Sequence, residues 1–205
     1  DGSMLAQKLR GQKKTVKSAI LVEAAKELLQ GVIGMQKKHI NHFDLKPTNF
    51  MFDMKGTLYI VDFGSAIKLE QGILKEPVRA DAYYFSPEGI ELFRQELRSI
   101  SAEKSESWSI GVSLLEMIKG YNCFMRNDEV FKRNEFFFKE ILEQELQDID
   151  APEVIAQIIR GLLIINPNER MSALDAYGKI RNISSFRNAE EKASIFASMK
   201  GLEQD

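Results

Sequence analysis

Cysteine is almost absent: Cys123 stands alone among 205 residues. No intrachain disulfide can form, and a reducing, cytoplasmic compartment is the expectation. Long apolar runs are missing too. None approaches the roughly 20 residues that cross a bilayer, and the first residues do not read as a secretory leader. Charge of one sign is not in excess, with 28 Lys and Arg against 30 Asp and Glu. Such a balance supplies neither a basic stripe for nucleic acid nor an acidic tail. No internal repeat or low-complexity linker divides the chain. At this length one domain with a real core is expected.

What is present centres on His42-Phe43-Asp44-Leu45-Lys46-Pro47-Thr48-Asn49 and, shortly after it, Asp62-Phe63-Gly64. In a tight loop Asp44, Lys46 and Asn49 can face one pocket. Between the two groups, Phe50-Met51-Phe52 and Leu58-Tyr59-Ile60-Val61 are short apolar runs, with Lys55-Gly56 reading as a hairpin turn. That hairpin would bring Asp62 to the end of the site where Asn49 lies. Two hard oxygen donors, a further carboxylate and an ammonium suit magnesium and phosphate better than zinc.

Elsewhere the pattern is helical. Apolar residues from Val16 to Ile33 predict a core helix over about Thr15–Met35. His39 follows it, and His tolerates left-handed backbone better than most residues. Ser107–Met117 is apolar nearly all round, as in a buried central helix. Further helices are expected over Phe131–Leu146, from Pro152 as first helical residue, and from Ala173 through Ile180. Ile195, Phe196 and Met199 give one apolar side to a charged helix in the last stretch, expected to pack on its own domain.

The loop and Asp-Phe-Gly spacing resembles the catalytic and metal loops of eukaryotic-type protein kinases. Tyr84-Phe85-Ser86-Pro87-Glu88 is similar to the end of their activation segment, with Ser where Ala is usual. Glu106 before Ser107-Trp108-Ser109 resembles the family's Asp-x-Trp-Ser-x-Gly helix, with Glu in place of Asp. Asn166-Pro167-Asn168-Glu169-Arg170 is similar to the Asp-Pro-x-x-Arg that closes the helical lobe. Singly, each residue is a common loop or helix residue; their order along the chain carries the resemblance.

The resemblance implies a mainly α fold with a small β-hairpin region, a kinase C-lobe at residues 1–182. The catalytic loop would span 42–49 and the activation segment 62–88, with a helical tail at 183–205. It implies an ATP- and Mg2+-dependent serine/threonine kinase acting on a protein substrate. Asp44 would orient the hydroxyl and take its proton, and Lys46 would neutralise the transferring phosphoryl group. Asn49 and Asp62 would hold magnesium, and Met51 would floor the adenine, its plain alternative being core. His42, Phe63, Gly64, Trp108, Glu106, Glu88 and Arg170 would be structural. Of these, His42 would be a packing post rather than a metal ligand, Glu106 an anchor for catalytic-loop amides, and Glu88–Arg170 a buried bridge. Losing one partner of such a bridge costs roughly 3–5 kcal/mol.

Phe43 stands where many kinases carry an Arg, so a phosphorylated activation segment could not pair there. Asp81 replaces a usual Thr; it could pair with Lys46, but it is expected to repel Asp44 and raise a carboxylate pKa. No Gly-x-Gly-x-x-Gly and no Val-Ala-x-Lys precede the loop. The expectation is a chain that begins mid-domain, with an N-lobe upstream or in trans. The fragment alone is then expected to be inactive, and its exposed lobe surface invites a dimer. Two other classes compete. One is a pseudokinase-like scaffold that binds nucleotide or protein without turnover. The other is a small-molecule phosphotransferase, a group that generally lacks the Lys two after the Asp.

Overall fold

A computed structural model of the chain describes residues 1–126 and 132–200. A short helix α1 (Leu5–Leu9) leads into the long α2 (Lys14–Gln36), whose Ile20, Leu28, Leu29 and Val32 are fully buried. Three two-stranded antiparallel ribbons follow: β1 (Ile40–Asn41) with β4 (Ile67–Lys68), β2 (Phe50–Phe52) with β3 (Leu58–Ile60), and β5 (Ile73–Leu74) with β6 (Ile100–Ser101). Only the second is the expected hairpin. Around them lie α3 (Pro87–Phe93), α4 (Ala102–Lys119), α5 (Glu135–Glu145), α6 (Glu153–Leu162), α7 (Ala173–Ile180) and α8 (Ala189–Lys200).

Helix α4 is the spine, buried on nearly every side. Such a helix has to satisfy its hydroxyls internally, and it uses them to fix loops: Ser109 Oγ donates to Tyr84 O at 2.9 Å and Ser113 Oγ to Leu45 O at 3.1 Å. Gly111 is needed where α6 crosses, because a Cβ there would sit 2.9 Å from the Leu163 side chain. Trp108 packs edge-on to Phe138 of α5, with ring centroids 5.3 Å apart. The chain leaves α2 through His39 at φ 60° and turns β2 into β3 through Gly56 at φ 78°. In that turn Asp53 Oδ1 accepts from Lys55 N at 2.8 Å and Thr57 N at 2.9 Å.

Two helix starts differ from the sequence reading. Helix α5 begins at Glu135, capped by the Asn134 side chain on Phe137 N, and Phe131 lies outside the described residues. Pro152 is the N-cap of α6 and not its first helical residue; its carbonyl takes the first turn's Ile155 N–H at 2.8 Å. The last helix, α8, folds back on the hairpin. Phe196 and Met199 join the main core, and Phe196 stacks against Phe52 at 5.5 Å. Lys192 Nζ reaches Glu27 of α2 at 2.6 Å, and Glu27 also accepts from Leu58 N at 2.7 Å. Among the described residues no helix is long and apolar enough to cross a membrane.

Candidate active site

The loop between β1 and β2 owes its shape to a carboxylate from the spine. Glu106 is fully buried and points into the turn. Its Oε1 accepts from His42 N and from Phe43 N at 3.1 Å; its Oε2 accepts from Asn41 Nδ2 at 2.7 Å. Gln36 of α2 adds a longer contact at 3.4 Å. Burial pushes the Glu106 carboxyl up, against the downward pull of Asn41, Phe43, His42 and Gln36. Phe43 takes φ 60° beside those donors, a conformation non-glycine residues adopt only where surroundings enforce it. The longer Glu side chain thus reaches both backbone amides.

Downstream, Asp44 and Asn49 face each other. Asn49 Nδ2 donates to Asp44 O at 2.8 Å and to Asp44 Oδ2 at 3.1 Å. Lys46 Nζ lies 3.0 Å from Asp44 Oδ2 and 3.7 Å from Asp81 Oδ2. The effect of Asp81 on Asp44 runs opposite to the expected repulsion. Its backbone N–H donates to Asp44 Oδ1 at 3.1 Å, while its side-chain Oδ1 caps Tyr83 N at 3.2 Å. Burial pushes the Asp44 carboxyl up, but Lys46, the Asp81 amide and Asn49 together outweigh it. Its pKa lies below the ordinary carboxylate value.

His42 is completely buried and ties the loop to the Asp-Phe-Gly segment. Its Nε2 lies 3.1 Å from Val61 O, while its Nδ1 accepts from Asp44 N at 3.3 Å. That pattern is the neutral imidazole with its proton on Nε2. Burial lowers its pKa, overcoming the Val61 carbonyl and the charges of Asp44 and Asp62. Asp62 follows directly, left-handed at φ 63° and exposed, with Oδ1 accepting from Gly64 N at 3.2 Å. The exposed Phe63 ring meets His42 edge-on at 5.0 Å. Val61 N donates to Asn49 O at 2.9 Å, which locks the two motifs side by side.

Met51 is 44% exposed, which overturns its reading as plain core. Strand alternation explains it, since Phe50 and Phe52 take the inward face. With Phe52, Met199 and Leu5 it lines a cavity of about 240 Å³.

Behind the site, Glu88 meets Arg170 through Nη1–Oε1 at 2.5 Å and Nη2–Oε2 at 2.9 Å. Arg170 also donates to Ile164 O, Lys104 O and Ile165 O, and its guanidinium lies 5.1 Å over the Trp108 ring. All five of its N–H groups are used. Sequence reasoning missed the serines that hold this frame. Ser86 Oγ and Ser105 Oγ pair at 3.1 Å, and Ser105, Ser109 and Ser113 recur every fourth residue along an apolar helix. That recurrence was the available signal.

For a divalent cation the chemistry of the donors fits. Asn49 spends its Nδ2 on Asp44, which leaves its Oδ1 facing away, and Asp62 engages only one oxygen locally. Among the described residues no three His, Cys, Asp or Glu form a self-contained metal site.

Comparison with known proteins identifies the family. Residues 1–179 match the family model described as protein kinase domain. Among curated proteins, a calcium-dependent protein kinase 27 of Arabidopsis thaliana is 29% identical over 68% of this chain and 28% of its own length. A probable serine/threonine-protein kinase of Dictyostelium discoideum is 30% identical over 69% of this chain and 26% of its own. The serine/threonine-protein kinase CLA4 of Candida albicans is 33% identical over 68% of this chain and 13% of its own. The chain spans about a quarter of the length of these relatives, or less. The mainly helical architecture is compatible with a kinase-like fold, and the family match covers most of the chain: it belongs to the protein kinase family, whose members carry out phosphoryl transfer and generally use ATP and Mg2+.

Proposed function

We propose that this chain is the helical lobe of a serine/threonine kinase, transferring the γ-phosphoryl group of ATP to a protein hydroxyl. The observation that carries the reading is the Asp44 carboxylate, held ionised by Lys46, Asn49 and the Asp81 amide. In that state Asp44 can orient a substrate hydroxyl and accept its proton, work that depends on position more than on covalent chemistry. Lys46 holds its ammonium at the same oxygen and offsets charge on the transferring group. Asn49 and Asp62 would hold magnesium, which when bound screens the phosphate oxygens. Met51, exposed on its strand, would meet the adenine from below. Residues 1–182 would form the lobe proper and 183–205 its tail. An N-lobe, upstream or in trans, would cap the phosphates, and a cytoplasmic site of action follows the cysteine usage.

The test is transfer of radiolabelled γ-phosphate by the full-length parent, beside Asp44→Asn and Asp62→Ala. Loss of the base is expected to reduce turnover by roughly 10²–10⁴-fold. A second reading, a nucleotide-binding scaffold without turnover, draws on the position of Lys46 between two carboxylates. Magnesium-nucleotide binding with no label moved would favour it. Fast transfer by residues 1–205 alone would refute the need for an N-lobe.

A further inference from the structure

A groove of about 650 Å³, with no residue of the His42–Asn49 loop in its lining, lies between the start of α3, α5 and the turn after α6. Its apolar lining comprises Leu142, Leu163 and Ile165 together with Pro87 and Pro167. Among the described lining residues Glu91, Glu135, Glu143 and Glu169 stand against one cation, Lys139, and Glu135 already holds that ammonium at 2.6 Å. Glu88, also in the lining, is neutralised by Arg170. The volume falls within the roughly 300–1,000 Å³ of pockets that take several groups of a ligand.

We propose that this groove is a docking site for a basic segment of a protein partner, with an aliphatic side chain seated on the apolar lining and Lys or Arg on either side. The occupant's chemistry follows from the lining. Leucine, isoleucine and proline select an apolar anchor. Four carboxylates and one occupied ammonium repel acidic segments and attract cationic ones, setting association rate and salt dependence. The carboxylates are also under electrostatic load. Burial pushes the Glu91 carboxyl up against the pull of Arg94, and the negative charges of Glu96, Glu88 and Glu135 add to it. A bound cation would relieve that crowding.

Position gives the groove a use. Pro87 and Glu88 open α3 at the end of the activation segment, and Ser86, whose hydroxyl caps that helix, precedes them directly. A partner docked here is tethered to the same domain as Asp44 without occupying its loop, which raises the local concentration of a hydroxyl carried elsewhere on that partner.

The test is binding, measured by calorimetry on the full-length parent, so its outcome does not depend on turnover. The probe is a twelve-residue peptide with a central leucine flanked by arginines and lysines. Binding is expected at low salt, weakening at least tenfold by 0.3 M salt as exposed charges are screened. Glu91→Lys with Glu143→Lys should weaken it at least tenfold while the thermal midpoint stays put. Replacing the central leucine by serine should weaken it about fivefold. Equal binding of a neutral or acidic peptide, or indifference to the two reversals, would overturn the proposal. So would a dimer of this chain in sedimentation that the same reversals dissolve, since a second copy would then be the occupant. Failure here with transfer intact in the parent rejects the docking site alone; the converse rejects the catalytic reading alone.

Discussion

The Glu88–Arg170 bridge offers the sharpest energetic test. Arg170 is 1% exposed and Glu88 6%, so neither charge has water to fall back on. Replacing Glu88 by Gln keeps the shape, but it sets an amide NH2 against a guanidinium N–H and removes the counter-charge. The three carbonyls of Ile164, Ile165 and Lys104 still hold the cation in place, so it cannot swing out. Breaking one side of a buried pair costs roughly 3–5 kcal/mol, against a total stability of about 5–15 kcal/mol. For a chain of this size each kcal/mol moves the midpoint about 2–4 °C, so a drop of about 6–20 °C is expected. Urea denaturation of wild type, Glu88→Gln, Arg170→Met and the double variant supplies the cycle. The double variant should lose less than the sum of the singles by about 2 kcal/mol. Strict additivity, or a single-variant loss below about 1 kcal/mol, would refute the claim that the pair is a desolvated unit.

Other perturbations probe the loop. Glu106→Ala strands the amides of His42 and Phe43, each at roughly 1–3 kcal/mol; unfolding should show the sum, and phosphoryl transfer by the parent should fall with it. Asp44 has a depressed pKa. Its contribution to stability is therefore complete above the unfolded carboxylate value of about 4 and is lost as pH falls through the lower folded value. The acid limb of kcat/KM should accordingly lie below the ordinary aspartate range, and Lys46→Met should move it upward by leaving burial less opposed. Phe43 packs with Ile67 and Val78 onto Leu74, Leu92 and Ile100. Phe43→Ala should cost about 1–3 kcal/mol, less than the roughly 3–5 of a fully buried ring. Phosphatase treatment of the active parent should leave its rate unchanged, because the segment is held there by apolar contact.

How much of this could be read beforehand depended on whether a feature is local. Asp44, Lys46 and Asn49 lie within six residues, and Asp62 is one hairpin away, so spacing alone suggested a common site. The long helices announced themselves by period. Strand pairs of two residues, such as Ile40–Asn41 with Ile67–Lys68, carry no period at all. For Met51 the bland alternative to an adenine floor was core within an apolar triplet, and alternation across the strand exposes it instead. The Asp81 contact was invisible for a different reason: a backbone N–H approaches Asp44, and main-chain donors leave no mark on residue identity. The side chain suggested repulsion while the main chain supplies attraction.

The same division explains what shapes the His42–Asn49 loop. Left-handed backbone at a non-glycine residue costs roughly 1–2 kcal/mol, and nothing in His-Phe-Asp favours it locally. Two amides presented to one buried carboxyl acceptor offset that, since each would otherwise be left unsatisfied at roughly 1–3 kcal/mol. The acceptor comes from α4, and so does the Ser113 hydroxyl that fixes Leu45. The turn is therefore a property of the helix that carries Glu106 and Ser113, and it should be lost with them even when every residue from His42 to Asn49 is kept.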